Sequence, residues 1–378
     1  MAADGQQLAP RGLEGVVAAS TAISSVADGD LQYRGYPIEE LASNARYEEV
    51  AYLLLHDDLP DEAELRKFES QLGDNRPLSP LLLRLLKNLG SGTAMDVLRT
   101  VVSASAVEDP DEGDNSHEAE YRKAIRLTAR MPTILAAYIR GRNGEEPVDA
   151  DPSLGHAEDF VRMAGLEKAH ANAADVLDTC FILQAEHGLN ASTFAARITA
   201  ATLADMHAAV TAALGALKGP LHGGATDGTM EMLDEIGSVE RIPEFVEEGF
   251  ARKYKFPGFG HRVYVTTDPR APFLREFARG LSEGDGALSM PPYFAIQERL
   301  VEEVNNRRQL PVNVDYYAAT TYTYLGIPAD LGTSIFAIGR MAGWCAHIME
   351  QHGDNRLIRP ESEYTGPTAR RWTPLAER

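Results

Sequence analysis

The chain has 378 residues with a hydrophobic share of 44%, enough to bury a large core and too much for a disordered tail. Its formal net charge of −20 argues against nucleic acid, whose phosphates need clustered Lys and Arg. Two cysteines, Cys180 and Cys345, are too few for a disulfide framework and show no metal-ligand spacing. Only seven of the 36 basic residues are lysines, and acidic excess with scarce lysine fits a surface exposed to concentrated salt. At molar salt the Debye length falls to roughly 3 Å, which mutes self-repulsion. No opening stretch joins basic residues to an apolar run, so no signal peptide is expected. The longest apolar candidate, residues 195–217, carries Arg197, Asp205 and His207, which a membrane span would not tolerate. A cytoplasmic protein is the expectation.

In chain order, short strand-like pieces come first, near Val16 and Tyr33. Residues 80–89 have helical spacing. Residues 108–120 (EDPDEGDNSHEAE) read as an acidic, solvated connection, with His117 an exposed loop histidine. Helical spacing returns over residues 166–184. From Ile198, the residues Leu203, Met206, Val210, Leu214 and Leu217 form one apolar stripe. Ser192 or Thr193 is the candidate cap of that helix, and Gly219-Pro220 ends it. Residues 281–292, with several Gly and Pro, read as another connection. Ile338, Met341, Cys345 and Ile348 mark a last helix, with Ser334 as candidate cap and Gly353 as stop. The fold class predicted is mainly α.

Reactive side chains meet backbone breakers at four places. His187 stands in EHGLNAST, His222 in GPLHGGA, and His261 in KFPGFGHRVYVTTDPRA with Arg270 nine residues later; Asp315 opens NVDYYAA. Arg340 in FAIGRMAGW and Arg359 in RLIRPESEYTG join them. Singly, each has a plain reading. A histidine can be a satisfied polar group, an Asp at a helix start a cap, an Arg a surface residue, and PGFGH only a turn. PGFGH is not a dinucleotide fingerprint, because the spacing fails at Val263. His187, His222, His261 and Asp315 have the residue types of a metal site, but extra arginines nearby would oppose a divalent ion.

Together these segments resemble the citrate synthase family, in its shorter archaeal and bacterial form. LQYRGYPIEELA, EHGLNASTF, GPLHGGA, PGFGHRVY with DPRA, NVDYY, FAIGRMAGW and RLIRPESEYTG follow the family's order over most of the chain. The resemblance implies a large helical domain (1–222 and 333–378) and a smaller helical domain (223–332) in an intertwined homodimer rather than a hexamer. Gly223, Gly224 and Gly332 are the candidate hinges. It implies acetyl-CoA and oxaloacetate as substrates, with no cofactor and no metal. His222, His261 and Asp315 would be catalytic. His187, Arg270, Arg340 and Arg359 would hold oxaloacetate, Arg359 reaching in from the partner. Lys255, Phe256, Gly258, Gly260 and Arg262 would hold CoA. Many relatives carry a basic residue where Val265 stands, so contacts to the CoA phosphates depart from the family's pattern.

The chemistry suits these groups. A thioester methyl is a very weak acid, so Asp315 would take its proton while a neutral His222 hydrogen-bonds the oxygen becoming an enol. His261 would give a proton to the keto oxygen as the carbon–carbon bond forms. Arginine forks match the two carboxylates of oxaloacetate. Propionyl-CoA as the acyl donor (2-methylcitrate synthase) and an idle acyl-CoA-binding regulator on the same scaffold are the alternatives. One methylene is worth only about 1 to 3 kcal/mol in a pocket.

Overall fold

The computed structural model describes residues 8–27, 29–167, 170–261, 263, 264, 267–284, 287 and 289–378. Arg262 and Val265, singled out above, lie outside the described residues. Three short antiparallel strands come first: β1 (Ser24–Ala27), β2 (Asp30–Tyr33) and β3 (Tyr36–Pro37), in that order across the sheet. Ser24 pairs with Tyr33, and Tyr33 with Tyr36. Leu31 and Tyr33 alternate inward along β2 and are fully buried, as the two-residue period requires. The piece near Val16 is not a strand; Val17 beside it is 90% exposed.

The remainder is helical. The first eight helices are α1 (Ile38–Asn44), α2 (Tyr47–His56), α3 (Glu62–Asn75), α4 (Pro80–Asn88), α5 (Ala94–Ser105), α6 (His117–Arg142), α7 (His156–Ala164) and α8 (Ala173–Gln184). Then follow α9 (Ala191–Ala200), α10 (Met206–Leu217), α11 (Ala225–Ile236), α12 (Ile242–Ala251), α13 (Ala271–Ser282), α14 (Tyr293–Arg307), α15 (Val314–Tyr324) and α16 (Gly332–Gly353). Local chemistry accounts for many starts. Asp61 caps α3 by accepting from the Ala63 and Glu64 amides, and Glu64 answers by accepting from the Asp61 amide at 2.9 Å. Ser79 caps α4 with Pro80 at its first position, where a missing N–H costs nothing. Among the described residues no helix is long and apolar enough to cross a membrane.

Several boundaries differ from those the sequence suggests. The single stripe from Ile198 to Leu217 is two helices. Leu203 takes a left-handed backbone (φ 64°), is 61% exposed, and separates α9 from α10. Asp205 restarts the chain by accepting from the Ala208 amide at 3.0 Å. The helix over 166–184 begins only at Ala173, and the 108–120 connection ends at Ser116, so exposed His117 opens α6. Ser334 is not a cap: α16 begins two residues earlier at Gly332, and Ser334 is fully buried inside it. The stop at Gly353 and the break after Leu217 stand where expected.

Helix α16 is the axis of the molecule, buried along nearly its whole length and packed against α2, α6, α8, α9 and α10. Helices α11 to α15 pack mainly on one another, α13 on α15 and α12 on α14, and meet α16 near its start. The candidate residues therefore come from both groups of helices. Losing the Asp205 cap should loosen the restart at α10. Asp205→Ala is expected to lower stability by about 1 kcal/mol, read as a lower urea midpoint.

Candidate active site

His187 lies in the turn between α8 and α9. The turn is fixed by what surrounds it. Asn190, rather than Ser192 or Thr193, caps α9, its Oδ1 accepting from both of their amides at 3.1 Å. Glu186 is fully buried, and its Oε1 accepts from the Ser24 hydroxyl and meets His347 Nε2, each at 3.0 Å. The Tyr33 hydroxyl donates to the Glu186 carbonyl at 2.9 Å, so the small sheet braces the turn. His187 Nε2 lies 3.1 Å from the Tyr264 hydroxyl, and its ring stands edge-on to His261, centroids 5.3 Å apart.

His222 follows the end of α10, where its amide donates to the Gly219 carbonyl at 2.9 Å. Its Nε2 lies 2.8 Å from Ser192 Oγ. The Trp344 indole donates to that same oxygen at 3.2 Å, leaving the serine one proton to give. Asn190 Oδ1, 2.8 Å away, already holds two amide protons. The serine's one proton thus has two acceptors at 2.8 Å, Asn190 Oδ1 and His222 Nε2; when it goes to His222, the histidine's own proton stands on Nδ1.

His261 and Asp315 are tied together. Phe259 and Val312 form a single antiparallel bridge; the Gly260 amide donates to the Pro311 carbonyl at 2.7 Å, and the Asn313 amide to the Gly258 carbonyl at 2.9 Å. The Asn313 side-chain amide donates to the Gly260 carbonyl at 3.0 Å, and its Oδ1 accepts from the Asp315 amide, also at 3.0 Å. Asn313 is thus the cap of α15 as well as the lace. Gly258 must be glycine here: its φ is +79°, and a Cβ would stand 2.6 Å from the Tyr316 ring. His261 Nδ1 accepts from the Val263 and Tyr264 amides at 3.0 and 3.1 Å, so a neutral ring carries its proton on Nε2.

Two guanidiniums are buried beside these groups. Arg270 forks onto Asp268 with contacts of 2.9 and 2.8 Å, and Asp268 also accepts from the Val314 amide at 3.2 Å. Burial works against the charge of Arg270, but Asp268 more than offsets it and the pKa ends above its ordinary value. Arg340 is 1% exposed; its Nε donates to the Gln184 carbonyl at 2.6 Å and its guanidinium lies over Phe336, while its NH1 is buried with no partner among the described residues. Burial lowers its pKa to about 10, with Glu186 opposing the fall. An unspent guanidinium N–H in the interior is an anion site in waiting.

Burial, with these arginines beside them, also sets the titrations. It lowers His222 and His261 to about 4 each and holds His187 well below its ordinary value. Burial raises Asp315 to about 6, the Thr226 hydroxyl pulling it the other way. Near pH 7 the histidines are neutral and the carboxylate is ionised but unusually basic. The charges of Arg270 and Arg340 both bear on His187 and Asp315, Arg270 also on His261 and Arg340 also on His222, so these groups form one electrostatic cluster.

The other residues singled out divide. Phe256 is 6% exposed, its ring packed against Phe245 and Tyr254. Lys255 is exposed. Arg359 is exposed on the C-terminal arm, with no ion pair or hydrogen bond from its side chain among the described residues, and stands outside the cluster. Ser192, Thr226, Tyr264 and Asp268 belong to the site and were not singled out for it. Asp268 could have been found from its place in the DPR segment; a tyrosine or threonine hydroxyl carries no such signal. No three His, Cys, Asp or Glu side chains gather as a metal-holding group among the described residues.

The family profile for citrate synthase, C-terminal domain, matches residues 12–361. The chain is 43% identical over 372 residues to citrate synthase 2 of Bacillus subtilis, covering 98% of this chain and 99% of that one. It is 43% identical over 377 residues to citrate synthase of Haloferax volcanii, covering 97% and 98%. A solved ternary complex of Thermoplasma acidophilum citrate synthase with carboxymethyl-CoA and oxaloacetate superposes with a TM-score of 0.91 at 32% identity, covering 97% of this chain and 99% of that one. These likenesses define an acyltransferase of the type that turns an acyl group into an alkyl group on transfer. The chain belongs to the citrate synthase family, and its reaction condenses acetyl-CoA with oxaloacetate and hydrolyses citryl-CoA to citrate and CoA.

The titrations have a direct consequence. If Asp315 serves as a base it must be deprotonated to work, and kcat/KM is then expected to fall as pH drops through about 6 while the histidines stay neutral down to about 4. A pH profile of kcat/KM checks this; a limb near 4 in place of one near 6 would mean that Asp315 is not the group being titrated.

Proposed function

We propose that His222, His261 and Asp315 carry the condensation, and that His187, Arg270, Arg340 and the partner subunit's Arg359 hold oxaloacetate. The observation that carries this reading is the buried, unspent NH1 of Arg340 inside a cluster of neutral histidines and one basic carboxylate. Asp315 takes a proton from the acetyl methyl. His222, its proton on Nδ1, hydrogen-bonds the thioester oxygen as negative charge builds on it. The enolate carbon then attacks the keto carbon, and His261 Nε2–H gives its proton to the keto oxygen. Water hydrolyses the citryl-CoA thioester, and the histidine and carboxylate recover their starting protonation. Loss of the positioned base should cost about 10²- to 10⁴-fold in turnover. Backbone groups of 256–260, with Lys255 and Arg262, contact CoA.

Residues 223–332 act as a small domain that closes on oxaloacetate, excluding water and completing the acetyl-CoA site. The protein works as a cytoplasmic homodimer adapted to high salt. Exposed apolar groups on the C-terminal arm, Trp372 and Leu375 at 79% each among them, support an intersubunit role for that arm, and the charge of −20 with seven lysines supports the salt habit.

Two experiments test this. Free-thiol release from acetyl-CoA is expected to depend on oxaloacetate and to be fastest in molar KCl; faster release from propionyl-CoA would assign the other acyl donor. For the shared site, Arg359→Gln and Asp315→Asn chains should each be inactive alone. Unfolded, mixed and refolded together, they should recover about a quarter of normal activity, because half of the dimers are mixed and each of those holds one intact site. Two inactive parents giving no recovery, while unmixed wild-type chains refold to full activity, would place Arg359 outside the partner's site.

A further inference from the structure

Asp315 meets its surroundings through two oxygens that are not equivalent. Oδ1 accepts the Thr226 hydroxyl at 3.0 Å. Oδ2 accepts no hydrogen bond among the described residues and is not sealed off from the cleft. The side chain of Asn313 has already satisfied the Asp315 amide, so the carboxylate is not spent on capping α15. One oxygen is anchored and the other is free.

Thr226 can act as the anchor because of where it sits. A threonine inside a helix ordinarily turns its hydroxyl to the carbonyl one turn back. Thr226 is the second residue of α11, where no earlier turn exists, so its hydroxyl can reach another element. The side chain is 2% exposed and held in place by close contact at its methyl. A Cβ added at Gly332, where α16 begins, would come within 2.5 Å of Thr226 Cγ2, so only glycine lets the start of α16 lie across this methyl. A β-branched residue wedged on that side has little rotamer freedom left.

We propose that Thr226 is a positioning residue for the condensation: it anchors Asp315 through Oδ1 and thereby assigns Oδ2 as the atom that takes the methyl proton. The inference rests on the reading of Asp315 as the base. The groups facing Asp315 are Thr226 and Asp227 on α11, Asp268 and Arg270 ahead of α13, Arg340 on α16 and Tyr322 on α15. Burial dominates and disfavours the charged carboxylate; of the influences that favour it, the Thr226 hydroxyl is the largest, ahead of Arg270 and Arg340.

The test is the kcat/KM pH profile of Thr226→Val, which keeps the shape and loses the hydroxyl, beside Thr226→Ser, which keeps the hydroxyl. Thr226→Val should move the acid limb up by about one pH unit and lower the plateau, because the carboxylate loses a hydrogen bond that its charged form prefers. Thr226→Ser should leave the limb where it is in the unaltered protein. A purely structural role would lower the melting temperature without moving the limb. Coincident limbs for Thr226→Val and the unaltered protein, or equal shifts in both variants, would overturn the inference. Asp315→Asn separates the two readings. If it is inactive while the Thr226→Val limb stays put, only the role of Thr226 fails; if it turns over normally, both fail.

Discussion

A guanidinium sealed in a helical core is the constraint on which this structure depends. Arg340 is buried on the helix against which α2, α6, α8, α9 and α10 pack. Moving such a charge out of water is costly unless it is compensated. The compensation here is incomplete. Glu186 supplies a nearby negative charge, Gln184 one carbonyl and Phe336 an aromatic face, yet none of them occupies NH1. A fully paired arginine would be more comfortable and useless to an anion. Stability is given up where an incoming anion would find a free donor.

The same positive charge governs the histidines. Arg270 and Arg340 disfavour a second cation nearby, and burial works in the same direction, so His187, His222 and His261 remain neutral donors and acceptors. The basic carboxylate comes from the opposite response to the same burial. One environment therefore holds neutral imidazoles near a carboxylate of raised basicity. The tautomer of His261 follows from two backbone amides on its Nδ1, while His222 meets a serine held under an indole.

Much of this was legible in the sequence, and the limits are physical. Motif order locates the histidines, the carboxylate and the arginines; most stand beside a glycine, a proline or a cap that breaks a helix, whereas Arg340 lies inside α16. Apolar periodicity finds the helices but does not see a left-handed residue. It carried the stripe straight through Leu203, although Asp205 held the capping signal for a new start. The start of α16 was invisible for another reason: no side chain caps it, and its position is set by contact with Thr226, more than a hundred residues away. Hydroxyls such as those of Ser192, Thr226 and Tyr264 acquire their roles only from partners that the fold brings to them, and nothing in the local sequence marks them.

Asn313 also constrains variation. A single side chain holds the loop of His261 with its nitrogen and the start of α15 with its oxygen. The segments that carry His261 and Asp315 consequently share one support. Any sequence exploring new substrates on this scaffold must keep that amide or replace both of its contacts together. The two segments are inherited as a unit.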